Sequence, residues 1–125
     1  MSGNKITHTL TIGATTVTPW PPTLANDKGF TSITEPADQN TTTIVSPGDK
    51  MVWKKSGDIT SIDAITETGG TNLFSKNPAL QKDGSWLGVI GNMKSDTTET
   101  YSITYQVEGA PKNPYVQDPK IRMKT

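Results

Sequence analysis

Residues 46 to 65 read S-P-G-D-K-M-V-W-K-K-S-G-D-I-T-S-I-D-A-I, and the rest of the chain can be placed relative to them. Pro47 fixes φ near the value required at the second position of a tight turn, and Gly48 after it can adopt a permissive φ. Asp49 can accept hydrogen bonds from neighbouring backbone amides. Together these residues predict a tight turn, after which a strand begins near Lys50.

Trp53 is the predicted anchor of the core. Because side chains alternate between the two faces of a strand, Met51 and Trp53 share one face and Val52 lies on the other. A second turn signal, S-G-D at residues 56–58, separates this strand from another β-prone run over residues 59–65. We therefore expect a turn, a strand bearing Trp53, a turn and a second strand.

Length and composition favour one β-domain spanning residues 1–125. Hydrophobic residues make up 31% of the chain and there are 11 glycines and 9 prolines, which is too little apolar material for a helical bundle. The 21 threonines are β-branched residues that suit a pleated, half-exposed surface. With turn signals about every 8–12 residues, these features predict an all-β fold, an antiparallel Greek-key β-sandwich.

The central stretch resembles cupredoxin-like domains, in which the motif G-D-x-V-x-W recurs. The matching residues are Gly48, Asp49, Val52 and Trp53, with Met51 intervening and the tryptophan one place early. The resemblance covers the C-terminal two thirds: Tyr101 to Val107 is similar to the strand that leads into the ligand-bearing loop of copper proteins, and Ile121 and Met123 to the closing strand. It implies a cupredoxin-like sandwich.

The copper ligands of that family are missing. A blue-copper site requires a Cys thiolate and two His nitrogens, whereas this chain has no Cys and its single histidine is His8. Ser61 stands near the place where the family has its first His ligand. The sequence therefore predicts a metal-free domain without a cofactor, and His8, on the apolar face of a strand over residues 5–12, is expected to be a partly buried, hydrogen-bonded side chain.

An immunoglobulin-like sandwich is the alternative fold. Asp96, shortly before Tyr101, resembles the tyrosine corner of that family, in which a Tyr hydroxyl bonds to upstream backbone. The residues Tyr101, Ile103, Tyr105 and Val107 alternate strictly with polar ones and predict a strand in either fold.

Residues 68–85 form the first candidate binding region, because loops on rigid sandwiches commonly carry function. We expect at most one short helical turn within residues 72–81, with Pro78 preventing a longer helix. Leu73, Phe74 and Leu80 would point inward. The region is then either a binding loop or a plug for one end of the sandwich, and the plug is favoured.

Charge and sequence pattern restrict the partners. Twelve basic and twelve acidic residues cancel, so the basic field that would attract nucleic acid or an anionic membrane is missing. No apolar run approaches the roughly 20 residues needed to span a bilayer. The first residues lead directly into a β pattern without a secretory signal, which predicts a cytoplasmic location or leaderless export.

No catalytic set is recognisable in the sequence. The chain has one histidine and no Gly-x-Ser-x-Gly motif, so a nucleophilic triad is disfavoured. Asp58 with Asp63 or Glu67 could form an acid and base pair, but these residues are expected to cap turns and cover the surface. The protein is therefore predicted not to be an enzyme.

Two functional hypotheses follow. The first is a non-catalytic interaction or assembly domain that binds a protein partner or itself, through edge strands near Pro19 and Pro119. The second is a carbohydrate-binding module in which Trp20 or Trp86 stacks on a sugar ring while polar side chains bond its hydroxyls. The ligand-binding residues predicted by the second hypothesis are Trp20, Trp86, Asn72 and Asp83.

Overall fold

The computed structural model describes residues 6–20, 22–26, 31–32, 42–117 and 120–123, which form two packed β-sheets. The strands in chain order are β1 (Thr7–Ala14), β2 (Thr23–Asn26), β3 (Thr31–Ser32), β4 (Thr42–Val45), β5 (Lys50–Gly57), β6 (Ile59–Gly70), β7 (Phe74–Leu80), β8 (Trp86–Ile90), β9 (Thr98–Val107), β10 (Tyr115–Gln117) and β11 (Lys120–Met123). The predicted all-β sandwich is confirmed. Pro119, named above as an edge position, lies outside the described residues.

The two sheets are mixed and not purely antiparallel. The first has the order β3-β2-β1-β5-β8-β7, and in the second β9 pairs with β6, β10 and β11, and β11 with β4. The pairs β1–β5 and β4–β11 run parallel. Parallel neighbours need a long crossover connection, and here the chain passes through β2, β3 and β4 before β5 returns to lie beside β1.

The turn before β5 forms as predicted. Gly48 has a φ of 85°, the amide of Asp49 donates to the carbonyl oxygen of Ser46 at 3.1 Å, and β5 begins at Lys50. Trp53 is fully buried and its Nε1–H donates to the hydroxyl oxygen of Tyr101 in the opposite sheet, at 3.1 Å. Trp53 thus joins the two sheets inside the core.

The inner face of β9 supplies the largest row of core side chains. They alternate along the strand and are all buried: Tyr101, Ile103, Tyr105 and Val107. The expected tyrosine corner at Tyr101 is wrong, because its hydroxyl accepts the hydrogen bond from Trp53 within the core. Tyr105 is the tyrosine that donates to upstream backbone, the carbonyl oxygen of Pro19, at 2.7 Å.

The expected helical turn within residues 72–81 is wrong. Residues 74–80 form β7, which pairs antiparallel with β8 at the edge of the six-stranded sheet. Two register shifts interrupt the pairing, and Pro78 lies within the second. An edge strand with bulges tolerates a proline because the missing N–H is not needed in the ladder.

Leu73 and Phe74 point inward as predicted, but Leu80 does not. Leu73 is fully buried and Phe74 is 7% exposed, whereas Leu80 is 60% exposed. Leu80 ends the edge strand, where neighbouring side chains are present on one side only. The prediction of an inward Leu80 is therefore wrong.

Candidate functional site

The two tryptophans predicted to bind a ligand are both tied to backbone. Trp20 is 38% exposed and its Nε1–H donates to the carbonyl oxygen of Val116 at 2.9 Å. Trp86 is half-buried and its Nε1–H donates to the carbonyl oxygen of Ile62 at 2.8 Å, which links β8 to β6. Each indole N–H thus makes a hydrogen bond within the protein, and Trp20 is the more solvent-exposed of the two.

The two polar residues of the predicted site lie on separate cavities. Asn72 lines a cavity of about 240 Å³, while Asp83 lines two others of about 190 and 540 Å³ beside the turn between β7 and β8. The Asp83 carboxylate accepts hydrogen bonds from the hydroxyl and amide of Ser85, and these bonds hold its pKa below the usual value. The structure therefore does not gather the predicted residues into one site.

The cavity at Asn72 opens between the edge strands β6 and β7, and we call it the lateral cleft. Two carboxyl groups and two carboxamides line this cleft, to which both sheets contribute. Its lining residues are Ile65, Thr66, Glu67, Asn72, Asn77, Pro78 and Glu99.

The core-facing row of β6 supplies one side of the cleft. Ile65 and Glu67 lie opposite Ile103 and Tyr101 of β9, so they occupy the row of β6 that faces the core. Glu67 is nevertheless exposed. At the end of β6, Gly70 has a φ of 76°, and a Cβ there would collide with the carbonyl oxygen of Thr98. Only glycine lets β6 approach β9 so closely beside the cleft.

Glu99 forms the inner wall of the lateral cleft. It is only 2% exposed, and its Oε1 accepts a hydrogen bond from the amide of Leu73 at 2.8 Å. Burial raises the pKa of Glu99 to about 7, the Leu73 amide opposes this shift, and the nearby charge of Glu67 adds to it. A buried carboxyl group that titrates near neutral pH is thus part of the cleft.

Sequence reasoning missed Glu99, although a signal was present. Extending the alternation of Tyr101, Ile103, Tyr105 and Val107 by two residues places Glu99 in the same core-facing row. An acidic residue at a core position of a strand is unusual and marks a position for inspection.

Two asparagines stiffen the wall on the β7 side. Asn72 Nδ2–H donates to Oδ1 of Asn77 at 2.9 Å, and Oδ1 of Asn72 accepts from the amide of Phe74 at 2.9 Å. These bonds hold the backbone at Leu73, whose amide binds Glu99. The two carboxamides therefore affect the Glu99 carboxyl group indirectly, because they hold the backbone at Leu73 in place.

The acidic residues predicted as a possible catalytic pair have turn and surface roles. Asp58 accepts a hydrogen bond from the amide of Thr16 at 2.9 Å. Asp63 accepts from the hydroxyl of Ser61 and from the carboxamide of Gln106, each at 2.7 Å. The pair that does line one cavity is Glu67 with Glu99, and of these only Glu67 is accessible.

A second buried carboxylate, that of Asp49, differs from Glu99 because several hydrogen-bond donors surround it. Asp49 is 2% exposed and accepts hydrogen bonds from the amides of Ile6 and Ser46, and its Oδ2 lies 2.8 Å from Nε2 of His8. His8 is 7% exposed, so the only histidine is a buried, bonded side chain as predicted. This cluster joins the start of β1 to the turn before β5.

Neither a metal cluster nor a membrane helix is present in the described part of the chain. No three His, Cys, Asp or Glu side chains in residues 6–20, 22–26, 31–32, 42–117 and 120–123 gather to hold a metal ion. Over the same residues, no helix could span a bilayer.

Comparison with known proteins identifies a shared fold. No protein-family model and no curated protein matches the sequence. Among solved structures, the chain is similar to an inclusion body protein (PixA) from Burkholderia cenocepacia J2315, with a TM-score of 0.56 and 8% sequence identity. The similarity covers 98% of this chain and 98% of that one, so the two proteins share the same β-sandwich fold over their whole compared length.

Proposed function

We propose that this protein is a non-catalytic assembly domain that associates with copies of itself through strand β6. The observation that carries the proposal is the free edge of β6. This strand is 12 residues long and, within the described residues, forms a ladder with β9 alone. Residues 59–70 contain neither proline nor lysine, the residues that most often protect an edge strand from pairing.

The other edge strand beside the cleft, β7, carries these protections. It is seven residues long and contains Lys76 and Pro78. Proline and lysine both discourage a second chain from adding to a sheet edge. Strand β6 also has three register shifts against β9, so its greater length and its lack of proline and lysine favour β6 over β7 as the surface for association.

Two further facts support an assembly role. The formal net charge is zero, so copies of the chain do not repel one another strongly in solution. A solved structure with the same fold is described as that of an inclusion body protein, which agrees with an assembly role for this chain. A metal-free, cupredoxin-like sandwich remains the finer fold assignment that we attach to this proposal.

Sedimentation velocity over a wide range of protein concentration tests the proposal. We expect the sedimentation coefficient to rise with concentration in the wild type and to rise less in Thr66→Lys, which places a lysine on exposed β6. Thr7→Lys, at the exposed start of β1, is the matched control and should behave as the wild type. A wild type that stays monomeric throughout would overturn the proposal.

Carbohydrate binding is the second candidate function, and the exposure of Trp20 favours it. The indole is 38% exposed between flanking prolines and is oriented by its bond to Val116. A fixed, accessible indole face is what stacking on a sugar ring requires. A glycan array with the wild type and Trp20→Ala decides: hits that disappear in the variant support this function, and an array without hits rejects it.

A further inference from the structure

We propose that β6 of one copy docks on a basic surface of the next copy, so that the molecules associate head to tail. This inference rests on the proposed function and names the partner surface. The basic surface, which we call the basic shelf, consists of Lys54, Lys55 and Lys82.

The basic shelf borders two cavities beside the turn between β7 and β8. Lys54 and Lys55, at the end of β5, line the cavity of about 190 Å³, and Lys54 and Lys82 line the open cavity of about 540 Å³. The half-buried side chains of Val52 and Leu87 also line the larger cavity. An apolar base with ammonium groups around it suits a segment of chain that carries carboxylates.

Strand β6 has the complementary charge. Residues 58–70 contain three acidic residues and no lysine or arginine, whereas β5 contains three lysines and no acidic residue. Asp63 and Glu67 are both exposed on β6. Consecutive strands of the same chain therefore present surfaces of opposite sign.

Within the described residues, ion pairs do not neutralise these charges. Among the described residues, no ion pair joins a lysine of the basic shelf to a carboxylate, and Asp63 and Glu67 have no cationic partner. Asp83 is the acidic residue on the shelf, where its carboxylate is held by Ser85 and is influenced by the charge of Lys54. Three ammonium groups against one carboxylate leave the shelf basic.

The like charges of β6 also disfavour symmetric pairing. In a twofold antiparallel contact centred on Ile65, Asp63 of each copy would lie opposite Glu67 of the other, and like charges across a strand pair are destabilising. A contact between different surfaces avoids this repulsion. Such a contact repeats from copy to copy and forms an open chain of molecules unless the rotation closes a ring.

Charge reversal and mixing test the head-to-tail contact. The shelf variant Lys54→Glu/Lys82→Glu and the strand variant Asp63→Lys/Glu67→Lys each bring like charges together, and each should associate roughly tenfold more weakly than the wild type. In an equimolar mixture, the reversed shelf of one variant faces the reversed strand of the other. Association should then return towards the wild-type level, and high salt should weaken it.

A matched variant separates a specific contact from net charge. Lys94→Glu/Lys112→Glu changes two exposed lysines outside the basic shelf and alters the net charge as much as the shelf variant does. It should associate as the wild type does. Circular dichroism of each variant checks that the sandwich is folded, and a variant that does not fold is replaced by its neutral form, Lys54→Gln/Lys82→Gln or Asp63→Asn/Glu67→Gln.

The outcomes distinguish this inference from the proposed function. If the wild type is monomeric at every concentration, both fall. If the wild type associates but either reversed variant associates equally well, or the mixture is no stronger than its components, the head-to-tail contact is overturned and self-association stands. Recovery in the mixture supports both.

Discussion

Asp49 and Glu99 are equally buried, yet the pKa values of their carboxyl groups are shifted in opposite directions. Each is 2% exposed. Burial raises the pKa of both, but in Asp49 this effect is outweighed by hydrogen bonds from His8 and from the amides of Ser46 and Ile6, and its pKa lies below the usual value. Glu99 has one donor, the amide of Leu73, and its pKa rises to about 7.

The difference shows that the number of donors, and not burial alone, decides whether a buried carboxylate is tolerated. A buried carboxylate that accepts several hydrogen bonds regains much of the solvation that it loses on leaving water. A carboxylate with one donor retains most of the desolvation cost. The Asp49 cluster therefore has the features of a structural site. The ionised carboxylate of Glu99 is the less stabilised of the two, and it lies beside the strand that we propose for association.

The largest effect is expected from Asp49→Ala. Removing the carboxylate leaves His8 and the amides of Ile6 and Ser46 without an acceptor in a buried place. We expect a loss of about 3–5 kcal/mol in the free energy of unfolding, measured by urea denaturation at neutral pH. Glu108→Ala, on the surface, should cost no more than about 0.5 kcal/mol. A similar small loss in both variants would show that the cluster is not structural.

Glu99→Gln should instead increase the free energy of unfolding above neutral pH. Because the pKa of Glu99 is raised from 4.5 to about 7, the folded state holds this proton more tightly than the unfolded state, so the wild type loses stability as pH rises through this interval. Glutamine keeps an acceptor for the Leu73 amide and does not ionise. At pH 8 the variant should be more stable by up to about 3 kcal/mol, and the two proteins should converge near pH 4.

Urea denaturation at a series of pH values measures this difference. Glu108→Gln, which changes an exposed carboxylate, should follow the wild-type curve. Parallel curves for the wild type and Glu99→Gln would contradict the raised pKa.

Asn72→Ala tests whether the single donor of Glu99 depends on the asparagine pair. Loss of the bonds to Phe74 and Asn77 should cost about 1 kcal/mol and speed the hydrogen exchange of the Leu73 amide. Asn92→Ala, at an exposed position after β8, is the control. Unchanged exchange at Leu73 would mean that the backbone of the cleft is fixed by other contacts.

The smallest effect is expected from Glu67→Gln. The charge of Glu67 contributes to the raised pKa of Glu99, after burial. Because Glu67 is exposed and screened by solvent, removing its charge should lower the pKa of Glu99 only slightly, as carbon-13 NMR titration would show. A fall to the usual value would instead make Glu67, and not burial, the main cause.

The β-sandwich and much of its core are predictable from the amino-acid sequence. The turn at residues 47–49, the strand bearing Trp53 and the alternation from Tyr101 to Val107 depend on local chemistry and on period-two patterns, which a sequence displays directly. The strand β7 was missed because its bulges and proline disrupt that pattern, and it is held in place by pairing with β8. Pairing with a neighbouring strand, and not the local sequence preference, therefore determines the conformation of these residues.

The positions of the charges and cavities depend on how the strands pack together. Glu67, Asn72 and Glu99 are separated in the sequence and line one cleft because β6, β7 and β9 meet there. The parallel pairing of β1 with β5, the exposure of Leu80 and the separation of Asn72 from Asp83 likewise depend on strand order. Strand order is set by packing across the whole sandwich, and a pattern within one segment does not contain it.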